Sequence, residues 1–531
     1  MIGSPLTAAA LLAAAVATVA IGAYGVRLSR TTSDFLVASR SVGPQWNAAA
    51  ISGEYLSAAS FLGVAGLIAK YGADALWYPV GFTAGYLGLL LFVAAPLRRS
   101  GAYTVPDFAE FRLGSVRLRK VAMLVVVVIC VFYLVPQYQG AGLALKTLLG
   151  VPVWIGPLVV GGIVITNVVA GGMRSITFVQ AFQYWLKLTA IAIPALALLG
   201  LFFTDRGELG GPMPPTVQQH TRVAIETDVV VHVAEPAGIT VTGALDGIHV
   251  GAQPFPSEGD HTLGAGTTLT LAAGAATPVV AGTPSTGDEW IASGGGLGGG
   301  HPLYQVLSII VATFLGTMGL PHVLVRFYTN PDGRAARRTA LAVIALLSLF
   351  YLFPTLLGAF ARLSVPQLLI TGTADAAVLL APGAAIGGPA GQLLAALVAA
   401  GAIAAFLATS SGLLVSIAGA LSTDVLRGRV RDFRVASGGR RADSDPAVTG
   451  HVGTRAVPQR GPGLRGGRID AVPAAGTRHL VARPDRARCG VWAGGGRAAV
   501  GNCGHGGGRR RNRRSRPRRL ARGDDRLPGR S

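Results

Sequence analysis

The sequence predicts an all-α polytopic membrane protein with one small β-rich external region, and its composition is the first reason. Of the 531 residues, 51% are hydrophobic and 13% are charged, whereas about 25% of the residues are charged in a typical soluble domain. Apolar segments recur along residues 1–426, and nearly all of the net charge of +21 lies after them. The bilayer is therefore the expected solvent for the part of the chain before residue 427.

Nine segments have the length and apolarity of membrane-spanning helices, which need about 20 residues to cross the hydrocarbon core. Cytoplasmic loops carry an excess of Lys and Arg, and basic residues of this chain concentrate in alternate loops. This pattern predicts a multi-pass protein of the cell membrane with an external amino terminus and a cytoplasmic tail. It assigns Arg326 to a cytoplasmic loop and Arg362 to an external one. The predicted spans are 5–25, 47–69, 74–96, 121–144, 152–170, 181–203, 304–325, 339–361 and 390–422.

Residues 205–303 form a predicted external loop that is long enough to have a structure of its own. They include 10 acidic and 2 basic residues, with β-like runs at Val229–Val233, Gly238–Val250 and His261–Ala272 between clusters of Gly, Pro and Ser. We expect a small β-rich flap. A lid or a cation-attracting vestibule is one interpretation, but surface loops tolerate insertions, so we favour a variable insertion.

The second predicted span has the composition of a broken helix. Segment 51–63 places Gly53, Glu54 and several Ser residues in the middle of the membrane. Backbone leaves a membrane helix where it lines a cavity, and broken helices supply carbonyls for cations and helix amino termini for anions. A membrane carboxylate is costly and usually functional, so Glu54 is a candidate functional residue. The alternative is an intact helix that packs closely through its small residues.

Three consecutive hydroxyl side chains, Thr409, Ser410 and Ser411, interrupt the last predicted span. Hydroxyl oxygens and freed carbonyls make a neutral, oxygen-only site that suits a hard monovalent cation better than a transition metal. The alternative is that these hydroxyls bond to the backbone of their own helix.

Four motifs carry a resemblance to a known family. They are segment 32–44, segment 53–63, Gly171-Gly172-Met173-Arg174-Ser175, and the sequence Gly-Thr-Met-Gly-Leu-Pro-His at 316–322 with Arg326-Phe327. From about residue 5 to residue 430, in order and spacing, the chain resembles the sodium:solute symporter family, specifically its acetate and monocarboxylate permease branch. The resemblance implies a leucine-transporter-like inverted-repeat fold with one extra amino-terminal helix, truncated here to about nine helices.

The resemblance also implies sodium-coupled uptake of a short monocarboxylate such as acetate by alternating access. The expected partners are that substrate, sodium as the coupling ion and the lipid bilayer, without another cofactor. Carried over by position, the sodium ligands would be the carbonyls of Gly53, Leu56 and Ala405 and the hydroxyl of Thr409, with Ser410 as a neighbour. Substrate contacts around the helix break would come from Tyr55, Ser57 and Ser60, with backbone amides binding the carboxylate.

Two positions depart from the pattern of relatives. Gln180 stands eight residues after Gly172, where sugar-transporting relatives carry an acid. A glutamine there resembles the acetate branch and removes a carboxylate from near an anionic substrate, so it favours a monocarboxylate over a sugar. Where relatives often have two hydroxyl residues in sequence, this chain has Ala408-Thr409, which leaves one hydroxyl fewer unless Ser410 substitutes after a small shift in register.

Segment 427–531 does not match the rest of the chain, since it contains 26 Arg, no Lys and 7 Asp among Gly, Ala and Pro. A disordered basic tail that binds nucleic acid or anionic lipid is one interpretation. We favour an out-of-frame translation, because codons for Arg460–Ala471 read one base later permit an apolar string that resembles a late helix of the family. The shift is expected between Asp424 and Gly439. The product as written is then expected to be inactive, because the last core helices are missing.

Other functional classes are disfavoured. The sequence has no nucleophile–base constellation, metal motif or phosphate loop, so an enzyme is not expected. Cys130, Cys489 and Cys503 are too scattered for a disulfide framework or a zinc site. A transporter-like sensor would need a kinase-like cytoplasmic region, which the tail lacks, and no specific nucleic-acid partner is expected.

Overall fold

The structure, a computed structural model, describes residues 4–27, 37–204, 208–294 and 301–424. The tail at 427–531 and the first five residues of the motif at 32–44, residues 32–36, lie outside the described residues.

Helices build the body of the described chain on both sides of a region of seven β-strands. The helices before this region are α1 Pro5–Val26, α2 Pro44–Tyr55, α3 Val64–Tyr71, α4 Trp77–Gly88, α5 Ala94–Arg99, α6 Val105–Leu113, α7 Val116–Leu149 and α8 Ile155–Thr204. The helices after it are α9 Gly287–Ile291, α10 Pro302–Gly319, α11 Pro321–Phe327, α12 Gly333–Ser364, α13 Ala377–Ile386 and α14 Gly388–Asp424. Single π-helical turns at Ala59–Gly63 and Leu89–Val93 continue directly into α3 and α5.

The bundle has the dimensions and the surface of a membrane protein. Within the described residues, seven helices are long and apolar enough to cross a membrane, and Ile155–Val169 and Ala374–Ile386 are shorter apolar helices. Large apolar side chains such as Leu12, Phe132 and Leu303 are exposed on its outside, where acyl chains replace water. The prediction of an all-α polytopic fold is confirmed. The apolar helix α13 has no counterpart among the predicted spans.

Three helix interruptions shape the core. Between α2 and the π-helical turn, Leu56 leaves helical geometry with φ −72° and ψ 84°, inside the segment where a break is predicted. Predicted span 304–325 divides at Leu320, with φ −63° and ψ 111°, and Pro321 starts α11 where its missing N–H costs nothing. Within α8, Gly172 has φ 60° and ψ −162°, a conformation that favours glycine.

The region between α8 and α9 forms a seven-stranded antiparallel sheet, which confirms the prediction of β structure there. Its spatial order is β1-β6-β3-β5-β2-β7, and β4 pairs with β3. The predicted run 238–250 holds two strands rather than one, because Asp246 and Gly247 adopt positive φ and turn the chain into a hairpin. The strands are β1 Thr221–Ala224, β2 Val229–Val233, β3 Ile239–Leu245, β4 Ile248–Pro254, β5 Gly259–Leu263, β6 Thr268–Leu271 and β7 Val279–Val280.

Arg362 joins the segment after the sheet to the helical body. It lies within α12 rather than in a loop as predicted, and it is buried, with a relative exposure of 2%. Its guanidinium donates to the Ala69 carbonyl at 3.2 Å and to the carbonyls of Pro284 and Thr286 at 3.1 and 3.2 Å. It also lies 5.7 Å from the ring centre of Trp290. One buried cation therefore satisfies carbonyls of two chain segments.

We expect Arg362→Met to lower the free energy of unfolding by about 1.5–3 kcal/mol, because these carbonyls lose a charged donor. Thermal and denaturant unfolding of the purified chain in detergent measures this loss. Arg338→Met is the matched control, since Arg338 is exposed on the same helix, α12. Equal stability of the two variants would contradict the prediction.

Candidate functional site

The two interrupted helices meet at their interruptions. The Tyr55 hydroxyl at the end of α2 shares a hydrogen bond of 3.1 Å with the Thr317 hydroxyl of α10. The Asn47 side-chain amide of α2 donates to the Arg326 carbonyl of α11 at 3.0 Å. A site with freed backbone groups from two elements therefore lies in the core of the bundle.

A buried ion pair, Glu54 and Arg326, ties these two helices together. The Arg326 Nε donates to Glu54 Oε2 at 2.6 Å, and each side chain is 1% exposed. Arg326 also donates to the side-chain oxygens of Thr177, at 2.8 Å, and of Gln180. The assignment of Arg326 to a cytoplasmic loop is therefore wrong, because this side chain pairs in the core with the predicted membrane carboxylate.

Gln180 bridges the ion pair to the last helix. Its amide oxygen accepts from Arg326, and its Nε2 donates to the Ala408 carbonyl of α14 at 2.8 Å. An amide can donate and accept at the same time, whereas a carboxylate only accepts. A glutamine at this position therefore suits a donor on one side and a carbonyl on the other.

Three of the predicted sodium ligands, Gly53, Leu56 and Thr409, border the helix break and already have hydrogen-bond partners. The Lys187 ammonium of α8 donates to the carbonyls of Gly53 and Leu56, the latter at 2.7 Å. The Thr409 hydroxyl donates to the Glu54 carbonyl at 2.5 Å. Ala405 is buried one turn earlier on α14. In this conformation the carbonyls of Gly53 and Leu56 bind an ammonium, so this residue set does not fit a sodium ion.

Two hydroxyls next to Thr409 differ in their bonding. The Ser410 hydroxyl is buried and has no hydrogen-bond partner within the described part of the chain. The Ser411 hydroxyl donates to the Leu407 carbonyl of its own helix at 2.7 Å, as the alternative interpretation of these hydroxyls expects.

The three predicted substrate residues border the helix break, and each contacts another helix. The Ser57 hydroxyl accepts from the Tyr133 hydroxyl of α7 at 3.3 Å. The Ser60 hydroxyl shares a hydrogen bond of 3.0 Å with the Tyr351 hydroxyl of α12. With the Tyr55 contact to α10, these bonds place α7, α10 and α12 around the break.

Gln137 and His322 also border the break, and sequence reasoning gave neither of them a role. The Gln137 Oε1 accepts the backbone N–H of Ala58 at 3.0 Å, whereas its Nε2 is buried without a partner among the described residues. His322 is 1% exposed, neither ring nitrogen has a partner in the described structure, and its ring centre lies 5.3 Å from that of Tyr133. Polar residues inside predicted spans, which are usually functional, were the available signal.

Comparisons with known proteins agree with this architecture. The chain matches the model of the Sodium:solute symporter family over residues 35–210 and 283–434. The unmatched residues between these ranges contain all seven strands of the sheet. In fold, the chain is similar to a Na+-coupled sialic acid symporter solved in a substrate-bound outward-open state. The TM-score is 0.51 at 14% identity, and the similarity covers 79% of this chain and 73% of that chain.

Two curated relatives are similar in sequence. The chain is 30% identical over 410 residues to an uncharacterized symporter of Bacillus subtilis and 31% identical over 417 residues to a monocarboxylic acid transporter of Corynebacterium glutamicum. Each match covers 77% of this chain but 66% and 65% of the relatives, so the chain spans slightly less than two thirds of their length. These relatives are transporters and not enzymes, in agreement with the prediction. Because the family match extends over more than half of its residues, this multi-pass membrane protein belongs to the sodium:solute symporter family.

Proposed function

We propose that this chain is built as a secondary active symporter that takes up a short monocarboxylate such as acetate by alternating access, and that the 531-residue product as written is inactive. The contact between two interrupted helices supports this proposal, because such helices line the substrate site of inverted-repeat transporters. The monocarboxylic acid transporter among its relatives supports the substrate class. Sodium coupling, proposed from the family, and the external amino terminus are parts of the same proposal.

The observation that carries the carboxylate assignment is the pair of buried donors without partners beside the break. The Gln137 Nε2 and a ring N–H of His322 lack acceptors among the described residues. Leaving a buried donor unsatisfied costs about 1–3 kcal/mol, and a carboxylate is an acceptor with two oxygens. The helical segment that starts at Ala58 adds the positive end of its dipole on the same side. A small carboxylate bound here would satisfy these donors.

The aromatic side chains around the break support a short acid. The ring centres of Tyr55 and Tyr86 are 5.0 Å apart, and those of Phe82 and Tyr351 are 6.2 Å apart in a stacked arrangement. Because aromatic rings present mostly apolar surface, this lining suits a small acid better than a sugar, whose several hydroxyls each need a hydrogen-bond partner. We therefore expect acetate and propionate to bind more tightly than a sugar acid.

Gln137→Leu is expected to weaken acetate binding by about tenfold or more, since a hydrogen bond to a charged group contributes about 1.5–3 kcal/mol. His322→Phe, which keeps an aromatic ring at this position but removes both ring nitrogens, is expected to act in the same direction. Scintillation proximity binding of radioactive acetate to the purified 531-residue chain measures both effects. This assay does not require a complete transport cycle.

Gln139→Leu is the matched control, because Gln139 is exposed two residues further along the same helix, α7. Its acetate affinity is expected to equal that of the wild type. Unchanged acetate binding in both Gln137→Leu and His322→Phe would contradict the proposed carboxylate site, and preferential binding of a sugar acid would contradict the substrate class.

The inactivity of the 531-residue product also stays a prediction, because it depends on residues 427–531, which lie outside the described residues. Proteoliposomes that contain this product are expected to show no sodium-dependent acetate uptake above empty liposomes. Robust uptake would contradict the prediction, and sequencing of the gene around codons 424–440 tests the frameshift itself.

A further inference from the structure

Lys187 is a buried cation that the proposed transport cycle does not yet use. It lies on α8 with a relative exposure of 0%. Its ammonium donates to the carbonyls of Gly53 and Leu56. A lysine within a membrane helix is costly and is retained where it pairs with other groups, so these two contacts need an explanation.

The carbonyls that Lys187 binds are exposed by the break at Leu56. In an intact helix each carbonyl accepts the N–H four residues later, but here the N–H of Ala58 donates to Gln137 instead of the Glu54 carbonyl. Thr409 supplies the donor that the Glu54 carbonyl lacks. Lys187 and Thr409 together satisfy three backbone oxygens on one side of the break. No further cation is needed for their hydrogen bonding.

The charges of the core lead to the same conclusion. Glu54 is the acid that interacts electrostatically with Lys187, but it already forms the ion pair with Arg326. Helix α14, on the other side of the site, contributes no charged residue before Asp424. When its amine is protonated, Lys187 therefore supplies the single net positive charge that a sodium ion would bring. A second cation within a few ångström would be strongly repelled in a low-dielectric interior.

We propose that the Lys187 ammonium replaces sodium at the position bordered by Gly53, Leu56 and Thr409, so that this chain binds no sodium ion there. The family resemblance predicts a sodium ion at this position, and the residues present disagree with it. The inference rests on the proposed function, because it concerns the coupling cation of that site. Sodium coupling of this symporter would then use a different position.

Binding of radioactive sodium to the purified 531-residue chain in detergent, at pH 7, tests this inference. Five proteins are compared: wild type, Thr409→Ala, Lys187→Arg, Lys187→Ala and the double variant Lys187→Ala/Thr409→Ala. We expect Lys187→Ala to gain one sodium-binding equivalent, because the carbonyls lose their ammonium partner. The double variant is expected to bind that sodium at least about tenfold more weakly. Lys187→Arg, which keeps a permanent positive charge, is expected to gain nothing.

Two results would overturn the inference: sodium binding to the wild type that Thr409→Ala removes, and the absence of a gain in a monodisperse Lys187→Ala protein. If Lys187→Ala does not fold, the comparison of wild type with Thr409→Ala still decides, because a wild type without Thr409-dependent sodium binding supports the inference.

Acetate binding is measured on the same samples. Its absence from the wild type opposes the proposed function, whereas sodium bound through Thr409 in an acetate-binding wild type opposes only this inference.

Discussion

Replacement of Arg326 by methionine is expected to lower the free energy of unfolding by about 3–5 kcal/mol, the usual cost of breaking a buried ion pair by removing one partner. The variant leaves the Glu54 carboxylate, 1% exposed, without its cation. The side-chain oxygens of Thr177 and Gln180 lose their donor at the same time. Denaturant and thermal unfolding of the purified chain in detergent, followed by tryptophan fluorescence, measures the loss.

A double-mutant cycle separates the ion pair from the size of the side chain. Glu54→Gln in the Arg326→Met background removes the unpaired charge, so it is expected to restore a large part of the lost stability. Arg338→Met, at an exposed position of α12, is expected to change stability little. If the double variant is no more stable than Arg326→Met alone, the carboxylate is not the source of the loss.

The helix break of α2 was accessible from the sequence because its signal is local. Gly, Ser and an acid follow one another within segment 51–63, and such a composition weakens a membrane helix at the place where the structure interrupts it. The β-rich region was accessible for the same reason, since alternating β-branched residues and turn residues have a short period. Both the helix break and each strand are encoded by short runs of neighbouring residues.

The composition of the core site was not accessible in the same way, because its partners are distant along the chain. Glu54 and Arg326 are 272 positions apart, and Arg326 follows an apolar span, as a cytoplasmic basic residue would. Lys187 lies inside predicted span 181–203, and the mean hydropathy of that span stays high despite this one charged residue. If each polar residue inside a predicted span is treated as functional, Lys187, Gln137 and His322 are selected. The groups that they contact in the folded chain are still not predicted.

The apolar helix α13 shows a different limit. It has ten residues with Pro382 inside, which is shorter than the about 20 residues that a complete span requires. A length criterion rejects such a segment, although burial against neighbouring helices stabilises it in the folded chain. Its buried residues, such as Val378 and Leu379, belong to the core.

Gly53→Ala is expected to destabilise the protein by about 1–3 kcal/mol or more, the cost of overpacking, because it separates α2 from α8. A Cβ atom on Gly53 would collide with the Gln180 carbonyl oxygen and would lie 2.9 Å from the carbon of that carbonyl. Both are backbone atoms of a long helix and cannot move aside as a side chain can. The shift would also displace the Gly53 carbonyl from Lys187. Melting temperature and the yield of monodisperse protein measure the effect.

Gly200→Ala is the matched control, because it lies inside α8 with nothing within 4 Å of the added Cβ. Alanine is favoured over glycine by about 1 kcal/mol in a helix interior, so this variant is expected to be as stable as the wild type or more stable. The same helix preference would favour alanine at position 53, within α2, but there the added Cβ meets the Gln180 carbonyl. A melting temperature of Gly53→Ala equal to that of Gly200→Ala would show that α2 and α8 approach less closely than the structure indicates.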